Sequence, residues 1–330
     1  KAHTVDSDSD SHSSRSSVLL AFAAIYILWG ATYTAARIGV VLVPAPVLAG
    51  VRLLIAGSLM LGFMALRGQR LLGTAREMRR LFLLGVLLLF TGNVGLVWAQ
   101  FYLPSGLCAL LVAIFPVYVA LIEWMLPQGE RLRVRGQIGL VLGFLGLAIL
   151  AWPSVQTGLR GEWQEFVAIA VLLTGTLTFA IGSILSRKSK LTLNLFVCTG
   201  WEMLAASFCD LFVATSLRQW GHAVWNRNSI SVVAFLVIFG SLIGFSCYTW
   251  LLSHVAVSKI ATYTYVNPIV AVLLGALILG ERLHGDEWIG MVVILLAVFL
   301  VNSSKLQPKS GAPGMESALV RSEIQAESVR

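Results

Sequence analysis

Along the chain, apolar stretches alternate with short polar connections ten times over: 18–41, 47–66, 81–101, 105–126, 137–152, 166–185, 193–217, 232–252, 260–279 and 288–302. Most approach the ~20 residues an α-helix needs to cross a bilayer. The runs are too long for strands and do not alternate, and a segment in lipid must satisfy its backbone internally. The pattern predicts an all-α integral membrane protein of ten transmembrane helices. The segments 1–17 and 303–330 are rich in Ser, Asp and Glu, lack apolar periodicity, and read as disordered tails. The first apolar stretch is longer than a signal-peptide core and is not expected to be cleaved. The sequence opens on Lys1 rather than Met, which reads as trimming.

The pattern repeats. Gly129-Glu130-Arg131-Leu132 returns as Gly280-Glu281-Arg282-Leu283, each after an apolar segment that holds a proline, Pro116 or Pro268. Trp98 pairs with Trp250, Gly139 with Gly290, and Gly50-Val51-Arg52-Leu53 with Gly200-Trp201-Glu202-Met203, always at an offset of 150 to 152. The repeats are 18–153 and 154–302. Five spans are an odd number, so the second copy enters the membrane upside down relative to the first. Inverted repeats are a common transporter build.

Composition agrees: 57% hydrophobic, 12% charged, with a mean hydropathy of +0.83, leaves too little polar surface to cover a water-soluble globule. The net charge of +8 comes from connections, where insertion bias accounts for it without nucleic acid. Arg67, Arg70, Arg76, Arg79 and Arg80 follow the second stretch, Arg131, Arg133 and Arg135 the fourth, and Arg187, Lys188 and Lys190 the sixth. Connections on the other side carry little: Arg160, Arg218 and Arg227. The expected topology puts the rich connections and both termini in the cytoplasm. Cys108, Cys198, Cys209 and Cys247 lie within spans without Cys-x-x-Cys spacing and read as packing residues.

Polar positions inside the spans are the candidate chemistry. Tyr26, Trp29, Tyr33 and Arg37 share one face of the first helix at three- or four-residue spacing, a polar-aromatic stripe suited to a cavity wall. Their repeat partners are Thr176, Phe179, Ser183 and Arg187, so both copies are expected to line one pathway. Lys259, Tyr263 and Asn267 are spaced by four in the ninth stretch, just before Pro268. Pro116 and Pro268 are candidate hinges, because proline removes a backbone donor and disrupts the preceding turn. Lys259 reads equally as a snorkelling interfacial residue. Asn93 and Gln100 share a face of the third stretch and need amide partners. Ionisable groups within spans are functional hypotheses by default; Glu202 is the most central. Asp210 and Glu123 lie nearer span ends, where water satisfies them. Arg52 aligns with Glu202 across the repeat, but inversion places them in opposite leaflets. Gly92, Gly95, Gly139, Gly143, Gly146, Gly240 and Gly244 permit close helix packing.

Ile27-Leu28-Trp29-Gly30-Ala31-Thr32-Tyr33, Arg37-Ile38-Gly39, Ala49-Gly50-Val51-Arg52, Pro104-Ser105-Gly106, Glu202 to Ala206 and Tyr265 to Gly275, with the duplicated Pro and Gly-Glu-Arg-Leu signals, resemble the drug/metabolite transporter superfamily. The resemblance is to proteins with two EamA domains, and most of all to the YedA-type subgroup of bacterial inner-membrane exporters. It implies a cytoplasmic N-terminus, a central cavity between two bundles, and export of amino acids, metabolites or drug-like molecules from a bacterial cell. Two features depart from the family: Gln128 precedes the first Gly-Glu where the second repeat has Leu279, and Gln100 stands where relatives often carry an acid.

The expected function is therefore a secondary transporter or facilitator that exports small amphipathic metabolites by alternating access. Tyr26, Trp29, Tyr33 and Tyr263 would stack on the substrate and Asn93, Gln100 and Asn267 would orient it. Glu202, Arg52 and Lys259 are the coupling or charge candidates. No phosphate-binding Gly-rich loop with a following Lys is present, so ATP is not the direct energy source. A ligand sensor or scaffold without transport is the alternative. An intramembrane enzyme ranks lower, because the five histidines are scattered and no catalytic residue set stands out. No cofactor or metal is expected. Expected partners are a small-molecule substrate and the lipid bilayer, with a homodimer as an option and no nucleic acid.

Overall fold

The computed structural model describes residues 7–126, 134–159, 163–282 and 285–303. Ten helices follow one another: α1 Ser7–Leu42, α2 Ala45–Leu66, α3 Ala75–Tyr102, α4 Ser105–Met125, α5 Val134–Leu159, α6 Gln164–Lys188, α7 Leu195–Ser216, α8 Arg227–His254, α9 Val257–Leu279 and α10 Gly285–Ser303. Among the described residues, nine are long and apolar enough to cross a membrane; α10 adds the shorter apolar run Trp288–Leu300. The protein is an all-α membrane protein built as two inverted five-helix repeats.

Several ends differ from the sequence pattern. Helix α1 starts at Ser7, ahead of the apolar stretch. Extending an existing helix costs far less than nucleating one, and the apolar run behind Ser17 supplies the nucleus. Helix α5 likewise continues through Pro153 to Leu159. Helix α3 starts at Ala75, where Thr74 accepts from the Glu77 amide and Glu77 accepts in return from the Thr74 amide. At the matching start of α8, Asn226 and Ser229 form the same reciprocal cap.

The inversion is visible in paired contacts. Helices α2 and α7 pack along their length, with Gly50 against Leu211 and, 150 residues on, Gly200 against Leu61. A Cβ at Gly50 would come within 2.5 Å of Leu211, and one at Gly200 within 2.8 Å of Leu61. These glycines let the helix backbones approach. Helices α5 and α10 form the second such pair.

The first helix of each repeat crosses to the other. Helix α1 lies mainly against α8 and α9, and α6 against α3 and α4. Each half thereby completes the other. The exchange follows from where the small residues sit, with Gly244 of α8 under Trp29 and its counterpart Gly92 of α3 under Phe179, the repeat partner of Trp29.

Two irregularities place polar groups toward the interior. Both α3 and α8 widen into π-helix at matching positions, Val86–Val94 and Leu236–Phe245. A π segment shifts the register of the side chains that follow and recurs at functional sites. The proline helices also differ. In α4 the helix breaks at Ala113-Ile114 and restarts at Phe115, so Pro116 occupies a first-turn position, where its missing donor costs nothing. In α9 the break comes at Ala261-Thr262, and Pro268 stands inside the segment Tyr263–Leu274.

Candidate functional site

Where α1, α2, α3, α4, α6, α8 and α9 meet, they line a cavity of about 110 Å³. That is space for several waters, since one occupies roughly 10–15 Å³ by the same measure. Its apolar wall includes Trp29, Phe115, Phe179, Phe245 and Tyr263. Trp29 is the hub. Its ring meets Tyr263 edge-on at 5.2 Å and Phe179 at 6.3 Å, while Phe115 joins Phe179 at 5.6 Å and Tyr263 at 5.8 Å. Edge and offset geometries of this kind hold rings in place beyond simple burial. The Trp29 indole N–H is fixed by donation to the Gly240 carbonyl at 3.1 Å, in the π segment of α8. Behind it, Tyr248 packs on Trp29 at 5.0 Å, its hydroxyl 2.6 Å from that of Ser183.

The polar wall combines Thr32, Arg52, Asn93, Gln100, Thr176, Ser241 and Asn267. Asn93 and Ser241 come from the two π segments. Gln100 donates to the Tyr33 carbonyl at 2.9 Å, leaving its own Oε1 without a hydrogen-bond partner among the described residues. The Asn93 Nδ2, Ser241 Oγ and Arg52 Nε atoms are likewise buried and unpartnered. Asn267, with its amide nitrogen turned to the facing acceptors, donates to carbonyls of Tyr26, Ile25 and Tyr263 at 2.9, 3.2 and 3.3 Å and so ties α9 to α1.

The sequence candidates divide accordingly. Trp29, Tyr33, Arg52, Asn93, Gln100, Tyr263 and Asn267 line the cavity, as do Thr176 and Phe179 of the matching face. Tyr26 does not; its hydroxyl sits 2.7 Å from that of Thr262. Lys259 is exposed at the start of α9. Glu202 is buried at 2% exposure where α7 meets α3, its carbonyl against Gly85, and is not among the lining residues. Asp210, expected to be reached by water, is fully buried, and neither carboxylate oxygen has a hydrogen-bond partner among the described residues. It interacts electrostatically with Arg52, because the inversion puts these two at one depth of the neighbouring helices α2 and α7. Phe115, Phe245 and Ser241 went unnoticed in the sequence, since no periodic polar stripe marks them.

Glu281 was missed too, although its motif was plain. Gly280 ends α9 with φ +68°, a left-handed cap that glycine adopts without strain. That turn sends the Glu281 side chain back to the start of α4. The Ser105 amide donates to both carboxylate oxygens, at 3.1 and 3.0 Å, and the Ser105 hydroxyl to one at 2.6 Å. A carboxylate at a helix N-terminus satisfies free amides and meets the positive end of the helix dipole. Arg37 Nε lies 3.8 Å from the same carboxylate, and Arg37 Nη1 donates to the Gln100 and Phe101 carbonyls at the end of α3. Four elements are thus joined at the end of the cavity where Gln100 and Tyr33 sit. The twin, Glu130, falls outside the described residues.

Two copies of the EamA-like transporter family pattern match the chain, over residues 15–152 and 166–303. The chain belongs to the EamA-like transporter family. Similar EamA proteins include the uncharacterized inner membrane transporter YedA of Escherichia coli (strain K12), 34% identical over 287 residues, covering 86% of this chain and 90% of YedA. The uncharacterized transporter YvbV of Bacillus subtilis (strain 168) is 26% identical over 302 residues, 91% of this chain and 96% of YvbV. A solved crystal structure with 21% identity superposes at a TM-score of 0.62, covers 87% of this chain and 97% of its own, and shares the EamA fold.

Proposed function

We propose that this EamA protein is a secondary transporter that exports small amphipathic metabolites across a bacterial inner membrane by alternating access. The observation that carries this reading is the cavity: lined by aromatic rings together with polar side chains, and built from the crossing helices of both repeats. A site at the repeat interface is open to one side of the membrane at a time when the repeats rock about it. The side chains around Glu281 close one end. By the basic residues of the alternate connections, that end faces outward, and the termini lie in the cytoplasm.

Glu202 stands away from the cavity, so substrate contact falls to Trp29, Tyr33, Tyr263 and the amides of Asn93 and Gln100. Reconstituted protein in liposomes, challenged with labelled amino acids and aromatic metabolites, tests the reading by flux. Time-dependent uptake of unmodified substrate supports it. Binding without flux would identify a sensor, and a changed molecule an enzyme.

A further inference from the structure

Arg52 is the charged residue of the cavity wall; among the other lining residues none is acidic or basic. It is 7% exposed, in the middle of a membrane protein, yet makes no hydrogen bond or ion pair with any described residue, and its Nε is sealed from solvent. A buried charge of this kind is costly unless something pairs with it. Its one electrostatic counterpart is Asp210, on α7, whose Cβ abuts Gly50 two residues before Arg52. Asp210 interacts with the guanidinium through space without taking up its donors, and it does not line the cavity. Those donors remain available on the cavity side. The unpartnered Asn93 Nδ2 and Ser241 Oγ belong to residues of the same lining, and both can donate to an anion.

We infer that Arg52 is the specificity-determining cation of the cavity, binding the carboxylate of a substrate whose apolar body lies against Trp29, Phe115, Phe179 and Tyr263. The planar guanidinium fork matches a carboxylate in two parallel hydrogen bonds. One guanidinium offsets one negative charge, which favours a carboxylate over a dianionic phosphate. With no acid on the lining, the cavity rejects organic amines that lack a carboxylate, because their charge would meet Arg52 at close range with no compensating group. The substrate class is an aromatic or other apolar carboxylate, amino acids with such side chains included. This rests on the transport reading only for what the binding achieves.

The test uses the full-length purified protein and matched pairs of probes with one body and opposite charge, 3-phenylpropionate against 3-phenylpropylamine and octanoate against octylamine, with L-phenylalanine as the zwitterion. Thermal stabilisation and direct binding of labelled probe report binding, and counterflow in liposomes reports transport. The expected result is binding of carboxylates and not of amines, with affinity lowered about 10- to 100-fold in Arg52→Gln and less in Arg52→Lys. Arg52→Gln leaves Asp210 uncompensated and endangers folding, so Arg52→Gln with Asp210→Asn supplies a neutral, foldable comparison. Equal binding of amines and carboxylates, no carboxylate binding, or full carboxylate affinity in the folded double variant would each overturn the inference. Flux of amines alone overturns it and leaves the transport reading standing. Carboxylate binding without any flux does the reverse.

Discussion

The two ends of the cavity are built from the same repeated parts and held differently. At one, Arg37 of α1 donates to carbonyls at the end of α3, and Glu281 joins it to Ser105. At the other, Arg187 of α6, 150 residues later, donates to the Leu252 and Val255 carbonyls at the end of α8. The position matching Ser105 is Val257, which has no hydroxyl to offer a carboxylate. The second end thus keeps its arginine and lacks one of the donors that secures the first. The symmetric frame of the repeat thus carries different side chains at its two ends. In an alternating-access protein such a difference biases which end rests closed, because hydrogen bonds and ion pairs present at one end stabilise that end's closed state.

Removing the carboxylate breaks the comparison most sharply. Glu281→Ala deletes the ion pair and three hydrogen bonds from Ser105 and is expected to cost the closed end about 2 kcal/mol, a roughly 30-fold shift in population. Labelling of an Ala36→Cys probe by a membrane-impermeant thiol reagent from that end, with the four native cysteines replaced, should rise at least tenfold. Unchanged labelling would show that the network is not what closes it.

The glycine pair offers a second, smaller contrast. Gly244→Ala forces a Cβ onto the Trp29 indole nitrogen, whereas Gly92→Ala meets Phe179 and the Gly175 carbonyl at 3.3 Å, a distance small shifts relieve. Overpacking of this kind costs about 1–3 kcal/mol. Gly244→Ala should lower the detergent melting temperature more than Gly92→Ala does; the reverse order would mean that α8, not the indole, gives way. The smallest effect is expected of Arg187→Gln, whose side chain is exposed and bonds only to carbonyls. Its unfolding free energy should stay within about 0.5 kcal/mol of the wild type. A loss as large as that of Arg37→Gln in parallel melts would show the two ends to be equivalent.

Much of the cavity was readable beforehand because helical periodicity is local. Trp29 and Tyr33 fall on one face whatever surrounds them, and the offset of 150 carried that face to Thr176 and Phe179. Tyr26 obeys the same spacing but lies one turn beyond the cavity, beside Thr262. Periodicity fixes a direction around the helix, not a depth along it. Ser241 shows the opposite limit: it stands in a π segment, where 3.6-residue spacing no longer says which way a side chain points.

Composition and the repeat by themselves determined a membrane protein of ten helices in two inverted halves, because backbone hydrogen bonding in lipid admits little else and an odd span count forces inversion. The Gly-Glu motif was visible as a motif only. Its task depended on a partner 176 residues away, Ser105, brought near by the fold. The exchange of α1 and α6 between halves, the burial of Asp210 beside α2, and the placement of Glu202 outside the cavity were decided by tertiary structure. Each depends on how helices rotate and tilt against one another, and that follows from side-chain packing summed over the whole molecule, which no single segment encodes.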